Sequence, residues 1–348
     1  MMQPRNPSPA GPRGRSLRSF LLAGSAALLL SGAGTALAES SAPDSPSAFG
    51  PLVDPASLPE RVDGREVVVL DIRTGVDEAG VSAYQRGHLP GARHAPYGIF
   101  RGPSENPGHR LRDAELTEVL QSLGLSGDEP VVVAHAGTGA TDFGAAARVY
   151  WTLKSAGFED LAILDGGYAA WTAEGERPLS TEVVPVVPSD AEFTLSDRWL
   201  ATREEVQALS EAPDGAVLLD ARPVAFFEGE TQHPAAARPG TLPEASQLTH
   251  SVWFESQDSP RFNLDEARRI AAEQGLVDSA EVVSFCNSGH WAATNWFVLS
   301  EVAEVRDVRL YAASMVEWSN ADRPMDNVPS NLEFAVLKTQ KWFNGLVN

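Results

Sequence analysis

Four short, almost unbroken apolar runs stand out along the chain: Val67–Asp71, Pro130–Ala134, Val217–Asp220 and Glu281–Phe285. Runs of that length suit strands buried on both faces, as in a parallel sheet covered by helices on each side. Helical patterns alternate with them. Thr202-Arg203-Glu204-Glu205 has the spacing of a capping box ahead of Val206 and Leu209. Trp296, Leu299 and Val302 recur every third residue and predict the buried stripe of a helix. Ser180 to Asp190, broken by prolines, reads as an extended linker. Beyond Pro329, the spacing of Leu332, Phe334, Leu337, Trp342 and Phe343 predicts a helix packed on the second half. Strands alternating with helices in this way make an α/β protein.

The N-terminal pattern is different in kind. Arg5, Arg13, Arg15 and Arg18 precede an apolar stretch from Phe20 to about Gly34, and Ala36-Leu37-Ala38 follows it. This order of basic, apolar and small residues is that of a secretory signal cleaved after residue 38. The apolar stretch is shorter than the roughly 20 residues of a membrane span. The arginines are not adjacent and no cysteine follows the cleavage point, so neither a twin-arginine signal nor a lipid anchor is expected. The mature protein is therefore expected in the periplasm or outside the cell.

Blocks of sequence recur in the same order about 150 residues apart. Val67 to Arg73 reappears as Ala216 to Arg222, and Gly87-His88-Leu89-Pro90-Gly91-Ala92 as Gly240-Thr241-Leu242-Pro243-Glu244-Ala245. Val131 to His135 matches Val282 to Cys286, and Ala146-Ala147 is matched to Ala292-Ala293. The segments ending at Trp171 and Trp318 pair, as do Arg177-Pro178 and Arg323-Pro324. The two halves are copies of one fold. The expected boundaries are a signal over 1–38, a first domain over 39–182, a second over 183–329, and a tail over 330–348.

Composition narrows the chemistry. The 348 residues are 43% hydrophobic and 21% charged, which is globular, and only one is cysteine. One thiol excludes disulfide scaffolds, zinc ribbons and iron–sulfur proteins. With 27 basic against 47 acidic side chains the net charge is −20, and loss of the signal arginines makes it more acidic. Such a surface repels nucleic acid and anionic membranes. An anion site must then be built from local donors.

The single thiol, Cys286, stands at the end of an expected strand, with Asn287-Ser288-Gly289-His290-Trp291 leading into a helix near Ala292. Backbone N–H groups in a loop at a helix start favour an anion and a thiolate. A buried, inert thiol is the other reading of the same position. In an oxidising compartment, the lack of a second thiol prevents an intramolecular disulfide from consuming this one.

Tyr84-Gln85-Arg86-Gly87-His88-Leu89-Pro90-Gly91-Ala92, Leu164-Asp165-Gly166-Gly167-Tyr168-Ala169-Ala170-Trp171 and Leu310 to Trp318 resemble the signature segments of rhodanese domains. The chain beyond the signal resembles a tandem-domain sulfurtransferase of the thiosulfate or 3-mercaptopyruvate type. The resemblance implies two rhodanese-like domains, each a mainly parallel sheet flanked by helices. It places Cys286 as nucleophile and Asn287, Ser288, Gly289, His290, Trp291 and Ala292 as the substrate loop, with neither metal nor organic cofactor. It implies a small anionic sulfur donor, a thiol or cyanide acceptor, and a sulfur-acceptor protein as a further partner.

The first domain has His135 where the second has Cys286 and cannot carry a persulfide. Counting from His135 to Ala146 and from Cys286 to Ala292 predicts a longer first-domain loop, opened by Gly137, Gly139 and Gly144. His290 is the candidate cation of the active loop. Phe226 stands where mercaptopyruvate-type enzymes are expected to carry an arginine; Arg238 is the candidate for a second arginine, and His109 for a first-domain histidine reaching the cleft. Phosphatases of the related fold carry an arginine where this chain has Ala292, so phosphoryl transfer is not expected. A persulfide carrier serving a partner protein is the alternative to an enzyme.

Overall fold

The computed structural model describes residues 50–59, 67–173, 175, 177–256 and 261–347, with side chains up to residue 340. The expected signal segment lies outside them. Five parallel strands form the first sheet: β1 (Leu52–Val53), β2 (Val68–Asp71), β3 (Arg93–His94), β4 (Val131–Ala134) and β5 (Leu161–Leu164), in the order β1-β5-β4-β2-β3. The second sheet holds β6 (Ala216–Asp220), β7 (Ser246–Gln247), β8 (Glu281–Phe285) and β9 (Val308–Leu310), in the order β7-β6-β8-β9, again parallel. Leu200 bridges Leu310 in parallel, occupying the slot that β1 fills beside β5. The apolar runs are these strands, and β2, β4 and β5 are buried at every position.

The helices that flank the sheets are α1 (Asp113–Ser122), α2 (Ala140–Ser155), α3 (Gly167–Ala173), α4 (Arg203–Glu211), α5 (Leu264–Glu273), α6 (Trp291–Phe297) and α7 (Ser314–Asn320), and α8 (Asn331–Val347) follows them. The capping box forms at α4: the Glu205 N–H donates to Thr202 Oγ1 (3.3 Å), and the Thr202 N–H donates to Glu205 Oε2 (2.7 Å). Trp296, Leu299 and Val302 are buried along α6 and its one-turn continuation.

The repeat extends to single side chains. Arg73 grips Asp71 with two nitrogens and donates to the Gly87 carbonyl (2.7 Å). Arg222 does the same with Asp220 and the Gly240 carbonyl (2.9 Å). Trp171 Nε1 donates to the Pro178 carbonyl (3.2 Å), and Trp318 Nε1 to that of Pro324 (2.7 Å). Each arginine carries the sheet's charge into a chain reversal, so the strand end beside it is fixed in position.

α2 and α6 pack against each other, so the two copies share one core. Phe143 on α2 meets Phe254, Phe262 and Phe297 at centroid distances of 5.5, 4.5 and 5.5 Å, edge to face. Such pairs add about 0.5–1.5 kcal/mol each beyond area burial. Tyr150 and Lys154 both donate to Glu301 Oε2 at 2.9 Å, tying the same helix pair further along. The segment after the first domain runs back over α1: Ser189 N–H donates to the Gln121 carbonyl (3.1 Å), and Phe193 stacks on Phe158 (5.6 Å). The C-terminal helix forms, and the side chains of Trp342 and Phe343 lie outside the described residues. Phe334 and Leu337 are only partly covered, and Leu332 remains 76% exposed.

Candidate active site

β4 and β8 stand side by side with β2 and β6 in the same register, Asp71 beside Ala134 and Asp220 beside Phe285. His135 and Cys286 are therefore the next residues on equivalent strands. Cys286 is 1% exposed. Its N–H donates to Ser314 Oγ (3.0 Å), and the start of α7 holds the loop by its carbonyls: Met315 N–H donates to the Cys286 oxygen (3.1 Å) and Val316 N–H to that of Asn287 (3.0 Å). With the carbonyls fixed on one side, the N–H groups of Asn287 through Ala292 are left without a protein acceptor among the described residues. Six such donors in succession form a concave anion cradle next to the thiol.

The first-domain loop is not longer, which corrects the expected count. α2 begins at Ala140, five residues after His135, and α6 at Trp291, five after Cys286. Gly144 lies inside α2; a Cβ there would come within 2.9 Å of the His290 carbonyl, so its smallness lets the loop after Cys286 approach. The copies differ in what fills the cradle. Asp142, third in α2, accepts from the Gly137 N–H (2.7 Å) and the Thr138 N–H (3.4 Å) and pairs with His135 Nδ1 (2.7 Å). Burial raises the Asp142 pKa, but the His135 and backbone hydrogen bonds outweigh it and leave the carboxyl below its ordinary value. The third residue of α6 is Ala293, which has no carboxylate. One cradle is filled by a carboxylate of the chain itself, and the other has no such occupant among the described residues.

The open cradle is braced from the first domain. Arg148 on α2, fully buried, donates to the carbonyls of Gly289 (3.3 Å) and Gly108 (3.0 Å). Burial, and then the Arg101 charge, push its pKa down to about 9, while Tyr97 and Cys286 act the other way. Gly289 has φ +67°, and any Cβ there would strike Arg148 Nη1 and the Ala312 carbonyl. Arg101 Nη2 donates to the Ser288 carbonyl (2.9 Å) and Oγ (3.2 Å). Its Nη1 is buried without a hydrogen-bond partner. Neither arginine was anticipated from sequence.

His290 is not the expected cation. Its Nε2 lies 2.7 Å from the Thr141 carbonyl, which can only accept, so Nε2 carries the proton and Nδ1 receives the Tyr97 hydroxyl at 3.0 Å. Burial, then the Arg101 charge, push its pKa down to about 4, so the ring is a neutral strut between the domains. Trp291 stacks on His250 (4.9 Å), meets Phe226 (5.7 Å) and donates to Thr141 Oγ1 (3.3 Å). Asn287 Oδ1 takes a long bond from Arg222 (3.4 Å), and Ala292 is wholly buried. Arg238 is committed elsewhere, to Asp322 (3.1 Å) and to the Arg323 carbonyl. His109 is exposed and lies 3.4 Å from the Asn106 amide; its neighbour Gly108, not its ring, touches the active loop. A cleft of about 870 Å3 between the domains is lined by Tyr97, Thr141, Asp142, His250, His290 and Trp291, and Cys286 does not reach its wall.

Comparison with known proteins agrees with this architecture. The family model described as "Rhodanese-like domain" matches residues 54–174 and 202–321. The thiosulfate sulfurtransferase of Azotobacter vinelandii is 28% identical over 277 residues, 79% of this chain and 96% of the relative. A Pseudomonas aeruginosa protein named "Probable 3-mercaptopyruvate sulfurtransferase" is 33% identical, covering 77% and 94%. The sulfur carrier protein TtuD of Thermus thermophilus is 27% identical, covering 77% and 93%. The crystal structure of the Escherichia coli 3-mercaptopyruvate sulfotransferase SseA shares the fold, with a TM-score of 0.65, 24% identity, and 76% and 98% of the chains covered. Two parallel α/β copies, a family match in each and sulfurtransferase relatives along most of the length lead to one assignment: the chain belongs to the rhodanese family and is a tandem-domain sulfurtransferase.

Proposed function

We propose that Cys286 is the sulfur-carrying nucleophile and that thiosulfate is the favoured donor. The observation that carries this reading is the open cradle of N–H groups beside the chain's single thiol. The Cys286 thiolate attacks the sulfane sulfur, a new S–S bond forms, and the bond to the sulfonate sulfur breaks with its electron pair leaving on sulfite. The persulfide anion, held by the same N–H groups, is then attacked at its outer sulfur by cyanide or a thiolate, and the Cys286 thiolate departs. Charge and electrons balance in both halves, and no outside oxidant is needed. Asn287, Ser288, Gly289, His290, Trp291 and Ala292 shape this loop, and Arg238 and His109 have other partners, Asp322 and Asn106.

Two observations favour second readings. The relative named for 3-mercaptopyruvate is 33% identical against 28% for the Azotobacter vinelandii thiosulfate sulfurtransferase, and one relative is named a sulfur carrier. A donor panel of thiosulfate, mercaptopyruvate and polysulfide, read by intact-protein mass, should show Cys286 gaining one sulfur atom, most readily from thiosulfate. Cys286→Ser should lose both loading and turnover; activity persisting in that variant would sink the mechanism. A carrier would load once and stall with cyanide. The order of residues 1–38 supports a periplasmic or secreted enzyme, checked by whether the exported protein begins at Glu39.

A further inference from the structure

The two first-domain arginines are arranged for different tasks. Arg148 is completely enclosed, and both of its terminal nitrogens are spent on backbone carbonyls, one of them in the catalytic loop. It positions the loop: its Nε is also buried without a hydrogen-bond partner, but both terminal nitrogens are engaged on carbonyls. Arg101 is only partly covered, and one terminal nitrogen is anchored on Ser288. Its other terminal nitrogen, Nη1, is buried with hydrogen-bonding capacity unused. A buried guanidinium N–H without an acceptor is costly, and it becomes favourable when an oxyanion fills the place. Arg101 lies electrostatically close to Arg148, His290 and Tyr97, the groups that surround the loop. Its charge also reaches His233, on the second-domain side. In a chain this acidic, long-range attraction of an anion is unavailable, so a local cation carries the selection.

We propose that Arg101 is the donor-specificity residue: its Nη1 binds the oxyanionic end of the sulfur donor while its Nη2 holds the loop at Ser288. The domain without a cysteine thereby supplies the charge that selects the substrate. This rests on Cys286 being the reacting thiol, and the test separates the two claims by using alkylating probes as well as sulfur donors. Iodoacetate and iodoacetamide are nearly the same size and differ in charge, so their rate ratio at Cys286 reads an anion-binding group directly.

In Arg101→Gln that ratio should fall about tenfold to a hundredfold, the loss expected for one charge-assisted hydrogen bond. The KM for thiosulfate should rise by a similar factor with kcat within about threefold of wild type. Arg101→Lys should recover part of both. Discharge of a preloaded persulfide to dithiothreitol, a neutral acceptor, should fall by a smaller factor than loading from thiosulfate, because it loses the Ser288 anchor but not an anion contact. An unchanged alkylation ratio, or equal loss with both probes, would overturn the proposal, because the second pattern is that of a residue that only positions the loop. If no donor loads Cys286 yet the ratio still falls, the anion site stands and the sulfur-transfer reading fails.

Discussion

Asp142 offers the sharpest test of why the copies differ. Replacing it with alanine removes the acceptor for the Gly137 N–H and His135 Nδ1, both at 2.7 Å, and a weak third bond at 3.4 Å. A hydrogen bond to a charged group is worth roughly 1.5–3 kcal/mol. Two strong ones, discounted because the carboxylate side chain is 24% exposed, give a loss of about 2–4 kcal/mol. At about 2 °C per kcal/mol for a chain of this size, the melting midpoint should fall by about 4–8 °C. The vacated cradle should then resemble the open one, so millimolar formate should raise the midpoint of Asp142→Ala more than that of wild type. The acid side has a defined sign. The folded carboxyl sits below its ordinary value, so its stabilisation is complete at neutral pH and is lost as pH falls below about 4. The gap between variant and wild type should close there. Calorimetry across pH, with and without formate, reads all three effects. A variant as stable as wild type, or one with no added response to formate, would refute the view that this carboxylate occupies an anion cradle.

Gly289→Ala should abolish sulfur loading while the protein stays folded, since a Cβ collides with Arg148 and the Ala312 carbonyl; circular dichroism and intact mass distinguish this from general unfolding. Glu301→Ala should cost about 2 kcal/mol by stranding Tyr150 and Lys154 at the interdomain helix pair, and denaturant titration should show it without a change in loading rate.

The repeat made the architecture legible, because strands buried on both faces keep short apolar runs and chain reversals keep their arginine–carboxylate pairs. It also misled at one point. Matching Ala146-Ala147 to Ala292-Ala293 by identity shifted the helix by several residues, whereas the helix starts, Ala140 and Trp291, are equidistant from His135 and Cys286. Alanine pairs on buried helix faces carry little register information, and an invisible acceptor such as Asp142 carries a great deal. Arg101 and Arg148 were hidden for another reason. They lie well over a hundred residues from the loop they touch, in a copy whose own chemistry is lost, and no local motif marks them. His290 reads as a cation in sequence because the groups that saturate both of its nitrogens, Tyr97 and Thr141, belong to the other copy.

Because Arg148, Tyr97 and Thr141 hold the loop after Cys286 from across the interface, the two copies are not separable modules. The domain with a histidine in the place of Cys286 still supplies, through its helix α2, one wall of the mould in which the other copy's loop is cast. Without the first domain, the loop after Cys286 would be held only from the start of α7, through Ser314, Met315 and Val316, and its other side would be bare.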